Sequence, residues 1–494
     1  MKIDVKVGEQ KSSCDVFVIP FFKDDLSALV KVDSFLGGLL KDTVKREELF
    51  EDGKGKLFSV KGLPYPALYI YSLGEKKKLT FEKLRKCTGI GVQVAKGLKG
   101  THIAFAPLLY DEKNISAEHV SFALAEGLFL GNYAFDRFKS KDKQKPIEEA
   151  TLFVRNASEG NHFSKSIQKA RITSESVNLV RDLVNLPANI VTPEYLANCA
   201  KENVKGTNAT CKILDLSEIK KEKLTLIQGV SMGSKHEPKM AVLTYKGTKN
   251  NTNPLVLVGK GVCFDSGGLQ IKPGAAMMDM KSDMAGAATV IAVIKAIARL
   301  HLPVHVVGIC PLVENMPSGT AYHPGDIFVT PSGKSVEIGH TDAEGRLILA
   351  DGLWYSHRFK PKEIIDIATL TGACIVALGT CATGVMTTSE KIIQKLTISG
   401  TKTNEKVWQL PLFDEYFEDI KSDIADIKNI GSPSGDAGAI TAAFFLKEFV
   451  KDVPWAHLDI AGPSMAKKGN GYVPKGATGI PVRLLIDYIE HSQQ

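Results

Sequence analysis

The sequence holds no run approaching the roughly 18 apolar residues that a helix needs to cross a bilayer. Its first residues carry charges at Lys2, Asp4 and Lys6, where an export signal requires an unbroken apolar segment. Cysteine is sparse: Cys14, Cys87, Cys199, Cys211, Cys263, Cys310, Cys374 and Cys381 are scattered, and no two form a CxxC pair. A disulfide framework and a cysteine-held structural zinc are therefore excluded as expectations, and a reducing, cytoplasmic location is expected. Charge of one sign is also scarce, since 62 Lys and Arg against 55 Asp and Glu leave only +7 over 494 residues. The basic clusters at Lys76–Lys78, Lys139–Lys145 and Lys220–Lys223 have no interleaved aromatics, so they read as solvated faces. Neither a nucleic-acid partner nor a membrane partner is expected. There is no internal repeat, and Gly (43) plus Pro (22) is ordinary, which excludes fibrous and low-complexity classes.

What is present is a chain with 44% apolar and 24% charged residues, enough for a buried core. The first part alternates candidate strands (Asp15 to Pro20, Ala67 to Tyr71, Thr101 to Ala106) with periodic stretches (Phe81 to Leu98, Ala117 to Gly131). That alternation predicts a smaller N-terminal α/β domain over residues 1–160. Asp136 to Ile147 is Lys-rich and reads as an exposed loop. A helix over Ser164 to Leu183 ends before Pro187, so 161–186 is read as a linker helix and 187–494 as a larger domain. In that domain Pro254 to Gly259 is short and apolar, as a strand buried on both faces should be. Asp283 to Leu300 places apolar residues on one helical stripe. Strands at Val304 to Cys310, Ile364 to Leu370 and His457 to Ile460, helices at Arg346 to Arg358 and Ala437 to Val450, and a hairpin of Ile327 to Val329 with Ser335 to Ile338 follow. An α/β/α domain with a mixed, mostly parallel sheet is the architecture these elements predict.

Two segments depart from a plain core. In the first, a buried strand delivers Lys260 and Asp265 into a glycine-rich turn, followed by Lys272 and by Asp283 at the predicted helix start. Ligands of open α/β sheets bind beyond the carboxyl ends of strands, so chemistry belongs here. In the second, Asp342, Glu344 and Arg346 alternate, and an extended backbone would point all three to one side. Asp265, Asp283, Asp342 and Glu344 gathered together would be costly without countercharge, and two divalent cations would supply it. Hard oxygen ligands suit Zn, Mn, Mg or Co, and paired dications are a standard hydrolytic device. Lys260 can join them as a neutral amine if its pKa falls, Arg346 can hold an anion, and Lys272 can stabilise an oxyanion. These residue types leave the substrate open: a metal-dependent phosphoryl hydrolase would use the same set.

The stretches GKGVCFDSGGLQIKP (Gly259 to Pro273), MDMKSDMAGAATV (Met278 to Val290) and TDAEGRLILADGL (Thr341 to Leu353) resemble the signatures of the leucine (cytosol) aminopeptidase family. DIATLTGA, AGAITAAFFL, WAHLDIAG and NLPANIVTPEYLA extend the resemblance, which is dense from about residue 175 to 490. It implies a metallo-exopeptidase releasing N-terminal residues, leucine and similar apolar ones preferred, by attack of a water bridging two metals. One metal would be held by Asp265, Asp342 (carboxylate and backbone carbonyl) and Glu344, the other by Lys260, Asp265, Asp283 and Glu344. Lys272 would polarise the scissile carbonyl, and Arg346 would hold a bicarbonate that relays the proton. Met280, Thr369 and Ala373, with Asp283 and Lys272, would bind the substrate. The resemblance also implies Zn or Mn in the sites, peptides with a free N-terminus as partners, and a homohexamer. One departure stands out: the family usually has Asn where this chain has His340. His340 is read as bonding nearby backbone, and His457 and Cys374 as structural.

Overall fold

The computed structural model describes residues 1–8, 13–111, 115–248, 253–432 and 434–491. The chain divides into two compact units, residues 1–175 with 467–475, and residues 176–466 with 476–494. The helix that precedes Pro187 is longer than its apolar pattern predicts. It runs unbroken over Ala157–Asn185, so the division falls inside it. Polar residues such as Ser158, Glu159, Asn161 and His162 hide its first two turns from a reading based on hydrophobic periodicity.

The first unit is built on a six-stranded sheet in the order Lys2–Val7, Glu149–Val154, His102–Phe105, Val16–Phe21, Ala67–Ser72 and Gly55–Ser59. All neighbours are parallel except the last pair. Helices Phe81–Gly97 and Ala117–Gly131 pack on one another with Gly127 against Arg85 and Gly131 against Gly89, where a Cβ would collide. The edge strand Lys2–Val7 was not among the predicted strands. Its alternating charges sit on a partly exposed edge, and its pairing partner Glu149–Val154 lies far along the chain.

The second unit carries the larger sheet. From one edge its strands are Val407–Gln409, Thr383–Thr387, Trp455–Asp459, Glu363–Ala368, Leu255–Gly259, His305–Asn315, Lys239–Lys246 and Ala209–Leu214. The central four are parallel, whereas Thr383–Thr387 and Lys239–Lys246 run antiparallel to their inner neighbours. A short strand, Gly261–Asp265, pairs separately with the far end of His305–Asn315. Leu255–Gly259 is buried at every position, as its unbroken apolar run requires of a strand covered on both faces. Pro193–Val204, Ala285–Arg299 and Val482–His491 form one helical layer, and Thr225–Ser231, Glu344–Ser356 and Gly438–Lys447 the other. The architecture is thus the predicted α/β/α arrangement with a mixed, mostly parallel sheet. Among the described residues no helix is long and apolar enough to cross a membrane.

Two local readings are corrected. Thr341 to Arg346 is not extended: a turn precedes the helix Glu344–Ser356, which Glu344 itself begins. Asp283 does not open a helix either. It closes the 3-10 turn Met280–Ser282 and stands two residues ahead of Ala285–Arg299, whose N-terminus has no side-chain cap.

Candidate metal centre

The parallel strands deliver their chain ends to one place. Lys260 follows Leu255–Gly259, Asp265 ends Gly261–Asp265, and Thr369 follows Glu363–Ala368. The 3-10 turn Met280–Ser282 and the start of the helix Glu344–Ser356 bring Asp283 and Glu344 to the same rim. Asp265, Asp342 and Glu344 each place a carboxylate oxygen within 4.8 Å of the others. Lys260 Nζ lies 2.7 Å from Asp283 Oδ2 and 2.9 Å from Glu344 Oε1, and it donates to the Thr369 carbonyl at 3.1 Å. Lys272 Nζ bridges Asp265 Oδ2 at 2.8 Å and Asp342 Oδ1 at 2.5 Å. The Thr369 hydroxyl donates to Asp283 Oδ1 at 2.7 Å. Lys260, Lys272, Asp265, Asp283, Asp342, Glu344 and Thr369 therefore form one cluster. Met280 sits in the turn just before Asp283, and Ala373 in the helix Gly372–Leu378 that follows Thr369; both are half-buried.

Glycines make this approach feasible. A Cβ at Gly345 would lie 2.5 Å from Lys260 Cε, so only glycine beside Glu344 lets the lysine stem pass the helix start. Gly267 has φ +89°, and a Cβ there would meet the Gln270 carbonyl at 2.5 Å. That left-handed turn carries the chain from Asp265 round to Lys272.

The electrostatics are unbalanced. Lys260, Asp265, Asp283 and Glu344 are all nearly fully buried. Burial raises Asp283 well above the ordinary carboxylate range; Lys260 opposes this while Glu344 and Asp265 reinforce it. Burial and Asp265 likewise raise Glu344, and they push Asp342 up to about 6. For Lys260 burial alone would lower the pKa, but the carboxylates of Asp283, Glu344 and Asp265 outweigh it and the net direction is upward. The neutral amine anticipated for Lys260 thus requires further positive charge beside it. Lys272 is raised for the same reasons. Four carboxylates face two ammonium groups here, a formal surplus of two negative charges. Glu344 Oε2 is buried without a hydrogen-bond partner, as a metal-facing carboxylate oxygen would be. The donor set, an orphaned oxygen and a charge deficit together fit dications.

Arg346 lies beside the cluster, buried, its pKa lowered to about 10 by that burial against the pull of Glu344 and Asp459. Its Nη1 donates to the Asn429 carbonyl at 2.9 Å, and its Nε has no partner. His340 uses Nδ1 to accept the Asp342 backbone N–H at 3.1 Å, which is the backbone role anticipated for it. Its pKa is lowered by burial, Lys272 and Arg346. His457 is only half satisfied. Nδ1 meets Asp366 Oδ1 at 2.6 Å, and the Trp455 indole donates to the other oxygen of Asp366, but Nε2 has no partner.

Sequence reasoning passed over the residues that brace the site. Asn315, fully buried, donates to Asp265 Oδ1 at 2.9 Å and to the Thr341 carbonyl at 3.0 Å. Tyr322 donates to that same carbonyl at 2.6 Å, and the Thr341 hydroxyl donates to the Gly267 carbonyl at 2.6 Å. Asp459 accepts from the Leu370 N–H and the Thr371 hydroxyl, fixing the turn that bears Thr369. Only Asn315 carries a hint in the sequence, as a polar residue closing the apolar strand that begins at His305.

A carboxylate-rich cluster fit for dications at the carboxyl edge of an α/β/α sheet, with lysines and an arginine alongside, has the make-up of a metallohydrolase. Residues 178–486 match the catalytic domain of the cytosol aminopeptidase family and residues 18–142 its N-terminal domain. A probable cytosol aminopeptidase from a Geobacter species is 42% identical over 96% of this chain and 96% of its own length. One from Persephonella marina is 40% identical over 99% of each chain. Among solved structures, a mutant of tomato leucine aminopeptidase superposes with TM-score 0.89 at 32% identity, over 99% of this chain and 96% of that one. A bottromycin maturation enzyme in complex with Mn superposes with TM-score 0.85 at 31% identity, over 97% and 100%. The chain belongs to the cytosol aminopeptidase family. It is a metal-dependent hydrolase of the leucyl aminopeptidase class, acting on peptides.

Proposed function

We propose that this enzyme releases N-terminal residues, leucine and similar apolar ones by preference, using two dications held by the acidic cluster. The convergence of Asp265, Asp342 and Glu344 within 4.8 Å, with Lys260 and Asp283 alongside, carries this reading. Asp265, Asp342 and Glu344 would hold one ion, with the backbone carbonyl of Asp342. Lys260, Asp265, Asp283 and Glu344 would hold the other. Zn or Mn suits the mixed oxygen and amine donors, with Mg or Co as further candidates; the Mn-containing relative supports Mn. When bound, such ions supply Lewis acidity and a nucleophilic water at neutral pH.

The chain's own groups do the rest. Lys272, which keeps its proton, is the donor for the oxyanion that develops at the scissile carbonyl. Asp283 accepts from the substrate's free amino group, its carboxylate already oriented by the Thr369 hydroxyl. Arg346, whose Nε has no partner, would hold an anion such as bicarbonate, which would supply a base for the proton passed to the leaving amine. Met280, Thr369 and Ala373 border the pocket for the first side chain. An apolar pocket discriminates by only about 1–3 kcal/mol per methylene, so specificity is broad. The reading includes a cytoplasmic location, which the relatives' name supports, and a homohexamer. No nucleic-acid partner is expected, since the basic clusters lack interleaved aromatics.

A comparison of leucine p-nitroanilide with its N-acetylated form tests this assignment. The free-amine substrate should be cleaved at least about 10³-fold faster by kcat/KM, because a site built around a polar group rejects analogues lacking it by such factors. Equal rates would refute an exopeptidase that reads the amine.

A further inference from the structure

We infer that Asn429 is a positioning residue that locks the Asp342-bearing turn and Arg346 into one unit. It follows the short strand Ile427–Lys428, whose pairing with Ser335–Glu337 sets it beside the turn. Its side chain is fully buried. The carboxamide oxygen accepts two successive backbone N–H groups, Gly339 at 2.8 Å and His340 at 3.1 Å. The carboxamide nitrogen donates to two carbonyls, His340 at 2.8 Å and Ala343 at 3.3 Å. An asparagine side chain offers two acceptor positions and two donor hydrogens, so every one is used. The backbone carbonyl of the same residue accepts from Arg346 Nη1 at 2.9 Å.

Asn429 therefore grips the turn on both sides of Asp342 with its side chain, and Arg346 with its backbone. No other side chain type fills this role. Aspartate would keep the two acceptor contacts but set an oxygen against two carbonyls and add a negative charge beside Asp342 and Glu344. Glutamine is one methylene too long for a fully packed site, and alanine leaves four backbone groups to find water. Gly339 closes the arrangement, since a Cβ there would lie 2.5 Å from Ile430 Cγ2.

The inference rests on the role proposed above for Arg346, and the experiment separates the two. Asn429→Ser and Asn429→Asp are prepared with the metals in place, checked by circular dichroism and thermal melting, and assayed per metal-loaded site. Displacement of a reacting group by about 1 Å costs up to about 10²-fold, so kcat per loaded site should fall about 10- to 100-fold with KM changed less than about threefold. In the Arg346→Ala background, Asn429→Ser should cost less than it does in the parent, the remainder reporting the Asp342 turn, since partners acting as a unit are not additive. A purely structural residue would instead lower the melting temperature and the loaded fraction while kcat per loaded site stayed at the parent value; that result overturns the inference, as does full additivity. Should Asn429→Asp not fold, Asn429→Ser alone decides the outcome. Normal turnover in Arg346→Ala alone defeats the assignment for Arg346 and this inference with it, whereas slow Arg346→Ala with normal Asn429 variants defeats this inference alone.

Discussion

Glu344→Ala is expected to lose peptide hydrolysis by at least about 10³-fold, because several kcal/mol of transition-state charge stabilisation at about 1.4 kcal/mol per tenfold amounts to that. Glu344, like Asp265, is shared by both proposed ions, and its Oε2 has no protein partner to retain it for structure. Bound metal, counted by elemental analysis, should fall to one equivalent or fewer. The fold should survive, since Lys260 keeps Asp283 at 2.7 Å as its counter-ion and the strands beneath are packed independently of it. Full activity in this variant would reject the bridging role.

Lys272→Ala has a different signature. Removing an oxyanion donor costs about 10²–10³-fold in kcat. Metal content should hold or rise, because the ammonium that neutralises Asp265 and Asp342 is gone. Arginine should not restore the rate, since its planar fork cannot place one charge where the compact ammonium sits. The pair of variants thus separates loss of metal from loss of a donor: the first loses both rate and metal, the second only rate. A Lys272→Ala enzyme turning over at the parent rate would remove this residue from the chemistry.

Much of this arrangement is legible in the residue order because its causes are local. The apolar run of Leu255–Gly259 can only be a strand covered on both faces, and such a strand exposes whatever follows its carboxyl end, here Lys260. The glycines after Asp265 signal a turn that few other residues permit. What stayed hidden depends on partners distant in sequence. The alternation of Asp342, Glu344 and Arg346 fits an extended segment and a helix start equally well. Only the packing of Glu344–Ser356 against the sheet decides between them. Lys2–Val7 becomes a strand through its register with Glu149–Val154, nearly 150 residues away. Asn315 and Asn429 look like ordinary polar residues at strand ends. Their importance arises from what they touch, Asp265 in one case and the 339–343 turn with Arg346 in the other. Nor could Gly345 be singled out, because its need to be glycine comes from the Lys260 stem crossing it.

The central claim is that these buried carboxylates gather for the sake of two dications. The direct measurement is a metal titration: strip the enzyme with a chelator, confirm the loss by elemental analysis, and follow leucine anilide hydrolysis as Zn or Mn is returned. The account predicts turnover below about 1% of the parent rate in the stripped enzyme, with recovery complete at two equivalents per chain. Undiminished hydrolysis by fully stripped enzyme would contradict it.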